Sequence, residues 1–168
     1  MKQLIVCFAL MYSLTGSAQT PYTSTINGNT TILNGMITKY ALINQAPAFP
    51  WYANNLKDYT PDPFIKQAMD SAKKNVQLVI FGGTWCEDTQ NILPKFFSLQ
   101  EQTGFPDDHI TFYGVDRNKK TLGNIAAAFG ITNVPTIIVM KNGKEVGRVI
   151  EYGTTGKWDA ELAALLIK

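Results

Sequence analysis

Val76-Gln77-Leu78-Val79-Ile80-Phe81 is a nearly continuous run of β-branched and aromatic side chains. A run of this length suits a strand buried on both faces, and such a strand needs other strands beside it and helices above and below. The flanking residues supply them. Asp62-Pro63 places a capping residue before a proline at the first helical position, and Phe64, Ile65, Ala68, Met69 and Ala72 follow at helical spacing, so a helix running to about Asn75 precedes the strand. Gly82-Gly83 ends the strand, and residues 86–102 read as a second helix with Ile92, Leu93, Phe96, Phe97 and Leu99 on its apolar face and Pro94 kinking it. Ile110 to Val115 is the next strand. A short helix from Asn124 to Phe129 stops at Gly130, and a strand follows over Thr136 to Met140. Lys141-Asn142-Gly143-Lys144 turns that strand back into Glu145 to Ile150, because Asn-Gly favours the positive φ angles of a tight hairpin. The last helix carries Trp158, Leu162, Leu165 and Leu166 on one face. The order helix, strand, helix, strand, helix, strand, strand, helix predicts an α/β fold with a central mixed sheet covered on both faces.

The chain of 168 residues is long enough for one such core and short for two. Residues 1–18 read as a secretory signal: Lys2, an apolar run from Leu4 to Met11 extended by Tyr12 and Leu14, then Gly16-Ser17-Ala18 as a small-x-small cleavage site. The expectation is export to a periplasmic or extracellular space without a stable membrane anchor, since a spanning helix needs about 20 apolar residues. Residues 19–61, rich in Thr, Asn, Pro and aromatics, read as an extended arm with one short strand near Thr31 to Tyr40. Phe49, Trp51, Tyr52 and Tyr59 pin it by packing against the domain over residues 62–168.

A net charge of +2 with 17% charged residues and no charged block leaves no basic field for nucleic acid. His109 is the one histidine, so neither a metal centre nor a hydrolytic Ser-His or Cys-His pair is expected, and no cofactor is implied. Cleavage of the signal removes Cys7 and leaves Cys86 alone, which excludes an internal disulfide in the mature chain. A lone cysteine in an exported protein points to a free reactive thiol or to an intermolecular partner, a dimer linked through Cys86 among them.

Cys86 lies in Thr84-Trp85-Cys86-Glu87-Asp88-Thr89, where the buried strand hands over to a helix. Pro94 follows eight residues later, Ile131-Thr132-Asn133-Val134-Pro135-Thr136 forms a loop before a strand, and Lys141-Asn142-Gly143-Lys144 starts the last hairpin. These four spaced motifs resemble those of thioredoxin, over roughly Pro63 to Lys168. Closer still, Trp-Cys-x-Asp-Thr with the aromatic arm and Gly147-Arg148-Val149-Ile150-Glu151 resembles a group of exported thioredoxin-like proteins common among Bacteroidota, which carry Trp-Cys-x-Asp-Ser/Thr in place of Trp-Cys-x-x-Cys. The resemblance implies a thioredoxin fold and a cis peptide bond between Val134 and Pro135. It puts Trp85, Val134 and Pro135 on the substrate side. Thr89 occupies the resolving cysteine's place and Ile80 that of the family's buried acid, so a dithiol cycle within one chain is excluded.

Cysteine reacts as the thiolate, and a helix N-terminus stabilises that anion, while the neighbouring carboxylates of Glu87 and Asp88 oppose it. The Thr89 hydroxyl is expected to add a hydrogen bond to the sulfur. Two functions remain. In the first, Cys86 exchanges with protein or peptide disulfides and an external reductant or resolving thiol completes the cycle. In the second, the fold binds peptides or acts as a chaperone without redox chemistry, and Cys86 is only a small, partly buried side chain.

Overall fold

The computed structural model describes residues 21–57 and 59–168, so the expected signal at 1–18 lies outside the described residues. The chain runs through β1 (Tyr22–Asn27) and β2 (Thr30–Ile37), then α1 (Lys39–Ile43), α2 (Pro50–Asn54), α3 (Pro63–Ala72) and β3 (Val76–Gly82). Next come α4 (Glu87–Thr103), β4 (Ile110–Gly114), α5 (Ile125–Ala128), β5 (Thr136–Lys141), β6 (Lys144–Ile150) and α6 (Trp158–Leu166). The strands form one mixed sheet in the order β1-β2-β4-β3-β5-β6, with β3 and β4 parallel and every other neighbouring pair antiparallel.

β3 lies between β4 and β5; Val76, Leu78 and Ile80 are buried on one face and Phe81 on the other, while Gln77, near the start of the strand, is exposed. Leu78 and Ile80 enter the main core with side chains of α3, α4 and α6, and Phe81 enters a second cluster with Val115, Ala126, Val134 and Ile138. The period of two along the strand thus divides its residues between two cores. The expected caps and turns hold: the Asp62 carboxylate accepts from the Phe64 N–H at 2.8 Å, and Asn142 and Gly143 turn the last hairpin at φ +52° and +73°.

The segment before residue 62 carries more regular structure than its composition suggests. The expected strand is β2, which ends at Ile37 because Lys39 and Tyr40 begin α1. β1, α1 and α2 are additions. β1 is a polar edge strand exposed over most of its length, so it has no alternation to read, and two five-residue helices are too short to show a period.

Besides the pairing of β2 with β4, side-chain contacts hold this segment to the domain, and four ties show how. Phe49 and Tyr52 are buried in the main core, and Tyr59 stacks on Trp158 while its hydroxyl donates to Asp159 at 3.2 Å. The Lys39 ammonium, 4% exposed, donates to Gln100 Oε1 at 2.7 Å and pairs with Glu101 and Asp107 at 3.0 and 3.1 Å. Burial opposes that charge, but the hydrogen bonds and charges of Glu101 and Asp107 together outweigh it and hold the ammonium above the usual lysine range.

The third tie is at Thr84. β2 pairs with β4 only from Gly35 to Ile37, which leaves the same edge of β2 open one turn of the ladder earlier. There the Thr84 hydroxyl accepts from the Leu33 N–H at 3.2 Å and donates to the Thr31 carbonyl at 2.8 Å, so one side chain stands in for a missing strand. The fourth follows from Pro94. Having no N–H, Pro94 cannot bond the carbonyl of Gln90 four residues back, and Asn55 Nδ2 donates to that carbonyl at 2.9 Å instead.

At the other end of the sheet, Glu161 holds the turn that enters α6. One carboxylate oxygen accepts from the Thr155 N–H and from the hydroxyls of Thr155 and Thr154, at 2.6, 2.7 and 3.0 Å. The Thr155 hydroxyl and N–H are the foremost causes that pull its pKa down to about 2. Gly153, at φ +78°, lies so close that a Cβ there would stand 2.6 Å from the same carboxylate.

Two outcomes follow. Thr84→Val keeps the shape of the side chain but strands the Leu33 N–H and the Thr31 carbonyl, and urea unfolding should show a loss of about 1–3 kcal/mol. Glu161 ionises more easily in the folded chain than the ~4.3 of an unfolded glutamate. Its contribution to stability is therefore complete above that value and lost as pH falls towards 2. The thermal midpoints of wild type and Glu161→Gln, well separated at pH 6, should converge over that window, whereas a constant gap would show that the carboxylate's charge contributes nothing.

Candidate active site

The site begins where β3 stops. Gly83 is required by Trp85, whose indole folds back over the turn: a Cβ on Gly83 would lie 2.6 Å from the ring. The indole N–H donates to the Val115 carbonyl at 2.9 Å, fixing the ring against the end of β4, and the Arg117 guanidinium lies 5.3 Å from the ring centroid. The Cys86 N–H closes the turn on Gly83 O at 2.9 Å. Cys86 is then the N-cap of α4, with extended backbone and its carbonyl accepting from the Gln90 N–H at 2.9 Å. Gln90 also reaches back from the first turn of α4, donating through Nε2 to the Thr84 carbonyl at 2.8 Å.

The Cys86 thiol is half-buried and donates to the Val134 carbonyl at 3.1 Å. The peptide bond between Val134 and Pro135 is cis. Both residues are buried, and the loop that carries them is clamped on each side. The Thr136 hydroxyl donates to Asn133 O at 2.7 Å, the Asn133 amide donates to Glu151 Oε1 at 2.8 Å, and the Glu151 N–H donates to Pro135 O at 2.7 Å. Cys86, Trp85, Val134 and Pro135, named from separate stretches of the chain, therefore meet. Trp85, Cys86 and Val134 belong to the same apolar cluster as Phe81.

Thr89 departs from expectation. It is fully buried and its hydroxyl accepts from the Gly83 N–H at 3.2 Å, so it serves the turn before Trp85 rather than the Cys86 sulfur. The reason is its place in the helix: three residues past the cap, its side chain points back at the strand end, where an unpaired N–H is waiting. Ile80, six residues before Cys86, has no exposed surface and lies in the main core, so the position behind the site is apolar. Among the described residues no group of three or more His, Cys, Asp and Glu could hold a metal ion. His109 ends a single 3-10 turn, Asp107–His109, before β4.

The Val134 backbone lies beside Cys86, as the expected cis bond implies. Reading the motif alone misses two groups. Thr84 and Gln90, which fix the turn from both ends, carry side chains common in any loop or helix. The chemistry the arrangement offers is that of one half-buried thiol at a helix N-terminus beside a backbone acceptor, with no second thiol among the described residues.

The family model for Thioredoxin matches residues 56–164. Thioredoxin of Mycoplasma genitalium is 38% identical over 82 residues, covering 49% of this chain and 74% of that protein. Thioredoxin-like protein R548 of Acanthamoeba polyphaga mimivirus is 29% identical over 89 residues, 53% of this chain, and the match spans only 62% of that protein's length. Among solved structures, a protein of unknown function, PA1234 from Pseudomonas aeruginosa, superposes with a TM-score of 0.57 over 79% of this chain and 92% of its own, at 14% identity, a likeness of fold alone. With the family match covering well over half of the chain and the sheet, the turn and the cis bond in their places, this chain belongs to the thioredoxin family.

Proposed function

We propose that this protein is an exported monothiol member of the family, of the group that carries Trp-Cys-x-Asp-Ser/Thr, and that Cys86 exchanges with disulfides of protein or peptide clients. The observation that carries this reading is the placing of the Cys86 sulfur, partly exposed at the N-terminus of α4 and 3.1 Å from the carbonyl that precedes the cis proline. Export rests on the composition of residues 1–18.

Exchange starts with loss of the thiol proton to solvent. That ends the bond to Val134, because a thiolate has no proton to give, and the freed carbonyl becomes an acceptor for a main-chain N–H of an extended client. The thiolate attacks one sulfur of the client disulfide. A bond forms between Cys86 and that sulfur, the client's own S–S bond breaks, and the displaced sulfur leaves as a thiolate that takes up a proton. An external thiol then attacks the client sulfur, which passes to it, and Cys86 is released as a thiol. Thr89 supplies no sulfur for this second step, so turnover depends on the outside partner.

The test is intact-mass spectrometry of the native protein mixed with oxidised glutathione or a peptide disulfide. A single adduct that excess reduced glutathione reverses is the expected result, and Cys86→Ser should lose it entirely. If the native protein forms no adduct and does so only after unfolding, Cys86 is a packing residue. The fold then serves as a peptide-binding module, and Cys86→Ala would bind clients as the wild type does.

A further inference from the structure

Between β4 and α5 the chain carries Arg117, Asn118, Lys119 and Lys120, and among the described residues none of the three cations forms an ion pair. The loop is held in shape from within. Asp116 Oδ1 accepts from the N–H groups of Asn118 and Lys120, both at 2.8 Å, and Lys119 takes φ +57°. Asn34 of β2 donates to the Lys120 carbonyl at 2.9 Å. One carboxylate therefore offsets part of the charge, and three cations remain against it.

Asn118, Lys119 and Lys120 border an open cleft of about 290 Å³, and Thr121 and Asn124 complete its polar wall. No carboxylate lines it. Thr121 is 8% exposed, and its hydroxyl oxygen is buried with no partner among the described residues. A buried hydroxyl is costly unless bonded, and Thr121, a residue of the cleft wall, is a donor for which the described residues hold no acceptor. The floor includes Ala126 and Ile131, which belong to the apolar cluster that holds Trp85, Cys86 and Val134. Arg117, on the same loop, lies against the Trp85 ring. The loop that borders the cleft thus reaches the candidate active site through Arg117, and the cleft floor packs on the cluster beneath that site.

We propose that this cleft is a carboxylate-recognising subsite that takes an acidic side chain of the client segment bound beside Cys86; the inference rests on the proposed client site. A carboxylate offers acceptors only, and the wall offers ammonium, amide and hydroxyl donors, the Thr121 hydroxyl among them. An exposed or half-exposed ion pair discriminates modestly, so the preference for an acidic client is on the order of fivefold. A phosphate ion shares this donor requirement and serves as the competing probe.

The experiment uses the Cys86→Ser protein and two fluorescent peptides that differ only in one residue near the centre, Glu against Gln, read by anisotropy. The Glu peptide should bind about fivefold tighter. Lys119→Gln with Lys120→Gln should bring the ratio to about one, with the thermal midpoint reporting that the fold is intact, and Thr121→Val should reduce the ratio. Inorganic phosphate should displace the Glu peptide more readily than the Gln peptide. Equal affinity of the two peptides, or binding of neither at millimolar concentration, overturns the proposal. Saturable phosphate binding without any Glu to Gln difference also overturns it, since the cleft would then serve a free anion. The protein tested has no thiol at position 86, so failure here leaves the adduct experiment untouched, and failure of the adduct experiment leaves this preference standing.

Discussion

The hydroxyl of Thr84 holds together parts of the chain that sequence keeps far apart. It bonds Thr31 and Leu33 of β2 while its backbone begins the turn into Trp85 and Cys86, and its carbonyl accepts from Gln90 of α4. The Gln90 carbonyl, left open by Pro94, accepts from Asn55. Strand, turn, helix and preceding segment are thereby joined through two side-chain amides and one hydroxyl. A buried backbone group without a partner costs free energy comparable to a lost hydrogen bond, so each of these contacts removes a penalty that the fold would otherwise carry. The turn that carries Trp85 and Cys86 is tied in this way to the N-terminal segment.

Much of the fold was legible because its elements announce themselves by period or by punctuation. The run from Val76 to Phe81, the Asp62-Pro63 start, the Gly130 stop and the Asn142-Gly143 turn are local signals, and each lies where the structure has it. The hairpin strand β1 was not legible, because an exposed edge strand with polar side chains on both faces has no pattern distinguishing it from a loop. Lys39 is the sharpest case. A lysine in a polar stretch reads as solvated, and only the convergence of Gln100, Glu101 and Asp107 from other parts of the chain explains its burial.

The site divides in the same way. The lone Cys86 stands out in the sequence, the resemblance to thioredoxin implies Trp85, Val134 and Pro135, and Cys86 meets Val134 because the β3 to α4 turn and the loop before β5 lie side by side at the same end of the sheet. What spacing could not supply was direction. The Thr89 hydroxyl lies within one helical turn of the sulfur in sequence, a spacing that suits either the sulfur or the backbone, and the Gly83 N–H takes it. The same holds for the Arg117 to Lys120 loop, whose charges are plain in the sequence while their neighbours are not.

The Gly83 to Thr89 bond also bears on how this chain stands to its dithiol relatives. A cysteine placed at position 89 would bring a sulfur, a weak acceptor, to a backbone N–H that now has an oxygen, in a position with no exposed surface. The threonine is therefore part of the support of the turn as well as the place of an absent thiol. Thr89→Cys would thus place a second sulfur beside the turn and weaken the support of Gly83 in the same step.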